Sequence, residues 1–157
     1  MSVNVLLLLH LVGFAALSAG TFLGSITGAG ARRTSKVAEH VVYAGLLKRQ
    51  VILSMIGSWT LLLTGLALVS TEGISHGTPW VSASMGIWVL SLLSAVLLGR
   101  PHAMAVGKAL GEATGSGATE SAALQALYGT GRAKMASRIQ ETLFLVNFLL
   151  MIFKPGA

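Results

Sequence analysis

The feature that most constrains this sequence is its uncharged start. No Asp, Glu, Lys or Arg occurs between Met1 and Ala31. A membrane-spanning helix needs about 20 consecutive apolar residues, each rising 1.5 Å, so this run is long enough to cross a bilayer. The first residues, Met-Ser-Val-Asn, lack the positively charged region with which a secretory signal peptide begins. We therefore predict a first transmembrane helix over residues 3–28.

Three further apolar runs predict three further spans. The second covers residues 50–71, and the third covers residues 79–99, where Pro79 suits the first turn of a helix. The fourth run, residues 142–153, amounts to roughly 18 Å of helix, which is shorter than the hydrocarbon layer of about 30 Å. The fourth helix is therefore expected to begin earlier, over residues 133–153.

Composition excludes the other broad classes of protein. Hydrophobic residues make up 54% of the 157 residues and charged residues 10%, against about 25% charged in an ordinary soluble domain. The mean hydropathy of +0.77 also excludes a disordered chain. The absence of cysteine excludes disulfides and thiolate metal sites. The expected fold is a single all-α domain over residues 1–157, a four-helix transmembrane bundle in the lipid bilayer.

The distribution of basic residues predicts the orientation of this bundle. Ten of the eleven Lys and Arg residues fall in the first and third connections between the predicted helices or in the first two turns of the fourth helix. They are Arg32, Arg33, Lys36, Lys48, Arg49, Arg100, Lys108, Arg132, Lys134 and Arg138. The positive-inside rule puts both basic loops in the cytoplasm and both termini outside. The net charge of +6 is then explained by the membrane, and no nucleic-acid partner is expected.

The third connection, residues 100–132, is long enough to form a cytoplasmic hairpin. Residues 111–119 are rich in Gly, Ser and Thr and predict a turn. The flanking stretches 102–110 and 120–128 have helical composition. The hairpin either docks on a partner or folds back onto the cytoplasmic ends of the chain's own helices, and the sequence leaves both open.

A stripe of small residues runs along the first helix. Gly20, Gly24 and Gly28 repeat every four residues, a spacing that lets helix backbones approach closely in lipid. Such a stripe is expected to pack inside the bundle, or otherwise against another membrane subunit or a second copy of the chain.

His10 is the only histidine within a predicted span. At helical spacing it shares a face with Gly13, Leu17 and Gly20 and points inward. An ionisable residue inside a membrane is a candidate functional residue, here a ligand for haem or a metal such as copper, and a neutral, hydrogen-bonded imidazole is the alternative. The candidate second ligands on the same side of the membrane are Met85, Met151 and His76.

Glu141 is the only acidic residue near a predicted span. Its spacing from Arg138 predicts an i,i+3 ion pair at the membrane boundary. A proton-relay role is the alternative. No phosphate-binding loop, acid dyad or nucleophile triad is found in the sequence, so no catalytic residue is predicted.

The order of short motifs resembles a family of predicted bacterial integral membrane proteins without an established function. The motifs are Leu9-His10-Leu11, Lys48-Arg49, Leu63-Thr64-Gly65-Leu66, Pro79-Trp80 and Phe153-Lys154-Pro155. This family is distantly similar to the HemJ-type protoporphyrinogen oxidases and to the copper-resistance D membrane proteins. The resemblance implies a multi-pass protein of the bacterial inner membrane.

The HemJ resemblance implies haem b bound at the histidine of the first helix, here His10. That group has a Lys four residues after the Trp that opens the third helix, where this chain has Ser84. The departure argues against oxidase activity and leaves haem binding as the expectation. Two functions follow: an accessory subunit of a larger respiratory or photosynthetic electron-transfer complex, with or without haem b at His10, or a stand-alone haem- or copper-binding redox protein.

Overall fold

The computed structural model describes residues 2–156, and its regular elements are helical. Four stretches are long and apolar enough to cross a membrane, which confirms the four predicted spans. A π-helical turn over Ala95–Gly99 joins two of the helices into one continuous apolar helix, Pro79–Gly115. The helices are α1 (Val3–Ala31), α2 (Val37–Thr71), α3 (Pro79–Ser94), α4 (Arg100–Gly115), α5 (Ala122–Gly129) and α6 (Gly131–Phe153).

The second helix is longer than the sequence predicts. The prediction began it at residue 50, after the Lys48-Arg49 pair, whereas α2 begins at Val37. Charged side chains end an uncharged run but do not end a helix, because long Lys and Arg side chains extend outward to water. At 35 residues and 1.5 Å per residue, α2 is too long for the hydrocarbon layer and continues beyond it.

The four long helices form a closed ring. The most extensive contact joins α1 to α2, the next joins α3 to α6, and smaller contacts join α1 to α6 and α2 to α3. Neighbouring helices run in opposite directions. One end of the bundle therefore carries both basic connections, and we call it the basic end; the opposite end carries the connection at residues 72–78.

At the basic end the chain builds a small folded layer, which we call the cap: α4, α5, residues 37–47 of α2, and the connections 32–36 and 116–121. Two apolar clusters hold it together. Ala31, Val106 and Tyr128 form one cluster, and the other is formed by Val37, Ala113 and Leu124. Leu124 is fully buried, so the hairpin predicted at residues 100–132 folds back onto the chain's own helices.

Backbone hydrogen bonds fasten the two basic connections to each other. The Val37 amide donates to the Thr119 carbonyl at 3.0 Å, and the Ser121 amide donates to the Ser35 carbonyl at 2.7 Å. These bonds satisfy backbone groups that would otherwise be unpaired beside a helix start. The cap is therefore one structural unit.

The π-helical turn has a cause in the sequence. Pro101 has no backbone N–H, and its ring would clash with the carbonyl four residues earlier, at Leu97. Widening the helix over Ala95–Gly99 relieves this conflict, and the Arg100 amide there bonds the Ala95 carbonyl. The Arg132 guanidinium from the start of α6 donates to the freed Leu97 carbonyl at 2.9 Å.

Candidate functional site

His10, the main candidate ligand, is tied to the neighbouring helix. Its Nδ1 lies 3.0 Å from the Thr64 hydroxyl of α2. That hydroxyl donates its own proton to the Thr60 carbonyl at 2.6 Å, so it can only accept from the imidazole. The geometry therefore assigns the proton of the neutral ring to Nδ1 and leaves the lone pair on Nε2.

The bundle interior one turn away from His10 is closely packed. One turn further along α1, Phe14 stacks on Phe144 and Phe148 of α6, with ring centroids 5.6 and 5.3 Å apart. Phe14 also lines a cavity of about 10 Å³ with Asn147 and Met151, which is at the lower limit for one water molecule. Of the candidate second ligands, Met151 is the one that lies on the bundle interior near the His10 end of α1.

The other two candidate ligands do not face this interior. Met85 of α3 is 39% exposed on the outer surface of the bundle. His76 lies in the exposed connection between α2 and α3, where its Nε2 is 3.3 Å from the Ser70 hydroxyl. The structure therefore does not bring Met85 or His76 together with His10.

Glu141 does not form the predicted ion pair with Arg138. Its Oε1 instead accepts hydrogen bonds from the Ser25 hydroxyl of α1 and from the Ser137 hydroxyl at 2.9 Å. The salt bridges found within residues 2–156 are Lys36–Glu39 and Lys108–Glu112. Arg138 is exposed, where its long side chain can extend to water, while Glu141 turns inward.

Glu141 and His10 belong to a wider pattern of polar contacts. Each of the four contacts in the helix ring contains a hydrogen bond made by a side chain. These bonds are His10–Thr64 between α1 and α2, Trp88–Ser58 between α3 and α2 at 2.8 Å, Gln140 to the Ser91 carbonyl between α6 and α3 at 2.8 Å, and Ser25–Glu141 between α1 and α6. Polar side chains inside a membrane often join helices in this way, and here they close the ring.

The small-residue stripe of α1 is used inside the bundle, with one exception. A Cβ at Gly20 would collide with the Ser54 hydroxyl, and one at Gly24 would lie 2.8 Å from the Gln50 amide nitrogen. Gly57 of α2 packs reciprocally against the backbone of Leu17. Gly28 makes no such contact. A Cβ there would meet only the guanidinium of Arg32, four residues later in the chain, at 3.4 Å.

The cap contains an aromatic cluster that sequence reasoning did not identify. His40 is 1% exposed and stacks on Tyr128, with ring centroids 5.5 Å apart. His102 meets the same tyrosine edge-on at 5.5 Å. Within residues 2–156, His40 Nδ1 and the Tyr128 hydroxyl have no hydrogen-bond partner, and burial raises the pKa of Tyr128. The sequence signal that could have indicated this cluster is the three-residue spacing of His40 and Tyr43, which puts both rings on one face of α2.

These side chains fit a bound haem only in part. The Nε2 of His10 could ligate a haem iron, because metal-ligating histidines usually donate their other ring N–H to a neighbouring group, as Nδ1 does here to Thr64. The cavity one turn away, which His10 does not line, is far smaller than the pockets of about 300 Å³ or more that hold organic ligands. In the part of the chain that the structure describes, no cluster of three or more His, Cys, Asp or Glu side chains is placed to hold a metal ion.

A closed ring of four apolar helices, joined by polar contacts and carrying one folded cap, defines a multi-pass integral membrane protein. Residues 4–155 match the model of the family described as predicted integral membrane protein (DUF2269), and the chain belongs to that family. No match was found among curated proteins or among solved structures.

Proposed function

We propose that this protein is a non-catalytic accessory subunit that assembles with other membrane-spanning helices. The observation that carries the proposal is the closed ring of interhelical hydrogen bonds. The ionisable side chains that face the bundle interior, His10 and Glu141, both hold neighbouring helices together. This arrangement favours a structural role for the polar side chains of the interior over a catalytic role.

The outer face of α3 supplies the surface on which such assembly is best tested. Ser82 and Gly86 are exposed and four residues apart, the spacing that allows close helix packing. A Cβ at Gly86 would meet nothing within 4 Å, in contrast to Gly20 of α1. This small-residue surface is therefore available to a helix of another subunit or of a second copy.

The test is recovery of partners from membranes. The full chain, tagged at one terminus, is extracted in mild detergent and sized by native electrophoresis. We expect it to migrate in an assembly larger than one chain. Gly86→Leu fills the small-residue surface of α3 and is expected to reduce partner recovery about tenfold, which corresponds to about 1.4 kcal/mol.

The matched control is Val89→Leu, one turn further along α3. Val89 is 47% exposed, and its substitution adds apolar volume without filling a small-residue position. This variant is expected to recover partners as the unchanged chain does. A chain that extracts only as a monomer, or equal losses for the two variants, would contradict the proposal.

A second candidate function is electron transfer through a haem held by His10. The observation favouring it is the Nδ1–Thr64 hydrogen bond, which leaves Nε2 free and orients the ring. When bound, haem supplies one-electron chemistry. The chain's own contribution would be one oriented ligand, His10. Because the cavity one turn away is too small for an organic cofactor, a second subunit would have to supply the rest of such a site.

The optical spectrum of the purified assembly tests this candidate. A Soret band that disappears in His10→Ala and shifts in Thr64→Val, where the orienting acceptor is lost, is the expected result. A band that persists unchanged in His10→Ala removes His10 as the ligand. Because partner recovery is measured separately, the two candidate functions are distinguishable.

The proposal includes an orientation: the basic end faces the cytoplasm of a bacterial cell, in its inner membrane. The positive-inside rule supports it, since ten basic residues lie at that end or in its connections. This orientation would place the cap where soluble or peripheral partners of an assembly are available.

A further inference from the structure

A groove of about 360 Å³ opens where the cap meets the helix bundle. One wall is α2, which contributes Leu47, Lys48 and Val51, and the other wall is α4, which contributes Ala103, Val106 and Gly107. Small side chains on α4 leave the space open. A Cβ at Gly107 would meet nothing within 4 Å.

The sequence fixes the depth of this groove in the membrane. On α2 it begins before Lys48-Arg49 and ends inside the uncharged run that starts at Gln50. On α4 it lies directly after Arg100, where the uncharged part of the third span ends. The groove therefore crosses the level at which phospholipid headgroups give way to acyl chains.

Charge identifies the kind of headgroup. Lys48 lines the groove, and Arg49 follows it in the chain. The two salt bridges found in residues 2–156 pair Glu39 with Lys36 and Glu112 with Lys108. Neither of these carboxylates therefore neutralises the charge of Lys48. Basic pockets between membrane helices at this level bind anionic lipid headgroups.

We propose that the groove between α2 and α4 binds one anionic phospholipid, with an acyl chain along Val51 and Ala103 and the phosphate beside Lys48. A volume of about 360 Å³ is at the low end of organic-ligand pockets, which run from about 300 to 1,000 Å³. It suits one acyl chain with part of a headgroup. The inference is independent of the proposed accessory function, because it needs only the embedded fold.

Native mass spectrometry of the detergent-solubilised full chain tests the site. Phosphatidylglycerol is the anionic probe and phosphatidylcholine the zwitterionic comparison. We expect one phosphatidylglycerol to be retained in preference to phosphatidylcholine. Lys48→Gln is expected to weaken phosphatidylglycerol retention about fivefold, the effect of removing one basic residue near a headgroup. Gly107→Leu fills the groove without changing charge and is expected to abolish retention of both lipids.

The control is Lys134→Gln, which removes a basic residue of the same end that does not line the groove. Equal effects of Lys48→Gln and Lys134→Gln would overturn the proposal in favour of general surface charge. Retention of lipid by a monodisperse Gly107→Leu protein would also overturn it. A dimer of the unchanged chain that Gly107→Leu dissociates would identify a second copy, not a lipid, as the occupant. Should Gly107→Leu fail to fold, Lys48→Gln and its control still decide the outcome.

Discussion

At the residue scale, what a glycine does depends on what lies opposite it. Gly20 and Gly28 belong to the same stripe in the sequence, yet only Gly20 faces the backbone of another helix. A Cβ at Gly20 would lie 3.0 Å from the Ser54 nitrogen and 3.1 Å from the Gln50 carbonyl oxygen, and backbone atoms cannot move aside as side chains do. A sequence repeat shows that close packing is possible, but not where the contact ends.

This difference predicts the effect of added side-chain volume on stability. Gly20→Leu forces α1 and α2 apart and is expected to lower the free energy of unfolding by about 1–3 kcal/mol, the usual cost of overpacking. Unfolding is measured by titrating detergent-solubilised protein with sodium dodecyl sulfate and following the intrinsic fluorescence of the three tryptophans, Trp59, Trp80 and Trp88.

Gly28→Leu is the matched control, since both substitutions give the same gain in helix propensity. A Cβ at Gly28 would meet only the Arg32 guanidinium, which can swing away. Equal destabilisation by the two substitutions would show that the Gly20 contact with α2 does not form.

At the scale of elements, apolar runs predicted the existence of the four spans but not the boundaries of α2. The stretch 37–47 is not apolar enough to be seen as a span, and its function is to present Val37, His40 and Tyr43 to the cap. Val37 and His40 are buried, and Tyr43 partly buried, against α4 and α5, which lie about 60 to 90 residues away in the sequence. Hydropathy reports contact with lipid, whereas contacts between distant segments depend on the fold.

The same limit applies to the candidate site. His10 could be assigned to the bundle interior from helical spacing alone, but its partner Thr64 could not, because the register of α1 against α2 is set by several glycine contacts together. Glu141 illustrates the opposite error. The nearest opposite charge in the sequence, Arg138, suggested an ion pair, and the structure instead satisfies the carboxylate with two hydroxyls from different helices.

The π-helical turn predicts a coupling between two distant residues. Arg132→Ala leaves the Leu97 carbonyl without its donor and is expected to cost about 1 kcal/mol of stability, the net value of a typical hydrogen bond. Pro101→Ala restores a backbone N–H that can bond the same carbonyl. The double variant is therefore expected to recover most of the loss, as measured by thermal unfolding. A double variant that loses as much as the sum of the single variants would contradict this account of the turn.

Because the cap has apolar clusters of its own, we expect it to unfold locally while the membrane spans stay intact. Leu124 is fully buried, and Leu124→Ala is expected to cost about 2–5 kcal/mol within the cap. Hydrogen exchange should then accelerate at the amides of Val37 and Ser121, whose bonds join the two connections, while amides within the spans stay protected. Ala126→Ser, at an exposed position of the same helix, is expected to change nothing. Uniform acceleration through the spans would show that the cap and bundle unfold as one unit.

At the scale of the whole molecule, charge and fold give one consistent picture. Both basic connections meet in the cap, so basic residues that the sequence separates lie on the surface of the same end of the bundle. Moving this surface across a bilayer would mean transferring many charged groups through hydrocarbon, where each Lys or Arg costs about 2.5–3.5 kcal/mol at the centre of a helix. Transfer of the other end across the bilayer, with Glu72 in its connection, meets no comparable energetic barrier.

The proposed orientation predicts which of two single cysteines is accessible from outside the cell. The chain has no native cysteine, so Ser75→Cys in the connection between α2 and α3, and Ser116→Cys at the end of α4, each provide one exposed thiol. A membrane-impermeant maleimide added to intact spheroplasts is expected to label Ser75→Cys and to leave Ser116→Cys unlabelled. Permeabilising the same cells should make Ser116→Cys reactive, which confirms that its thiol is accessible. The reverse pattern would place the cap outside the cell, and the charges at the basic end would then require another explanation.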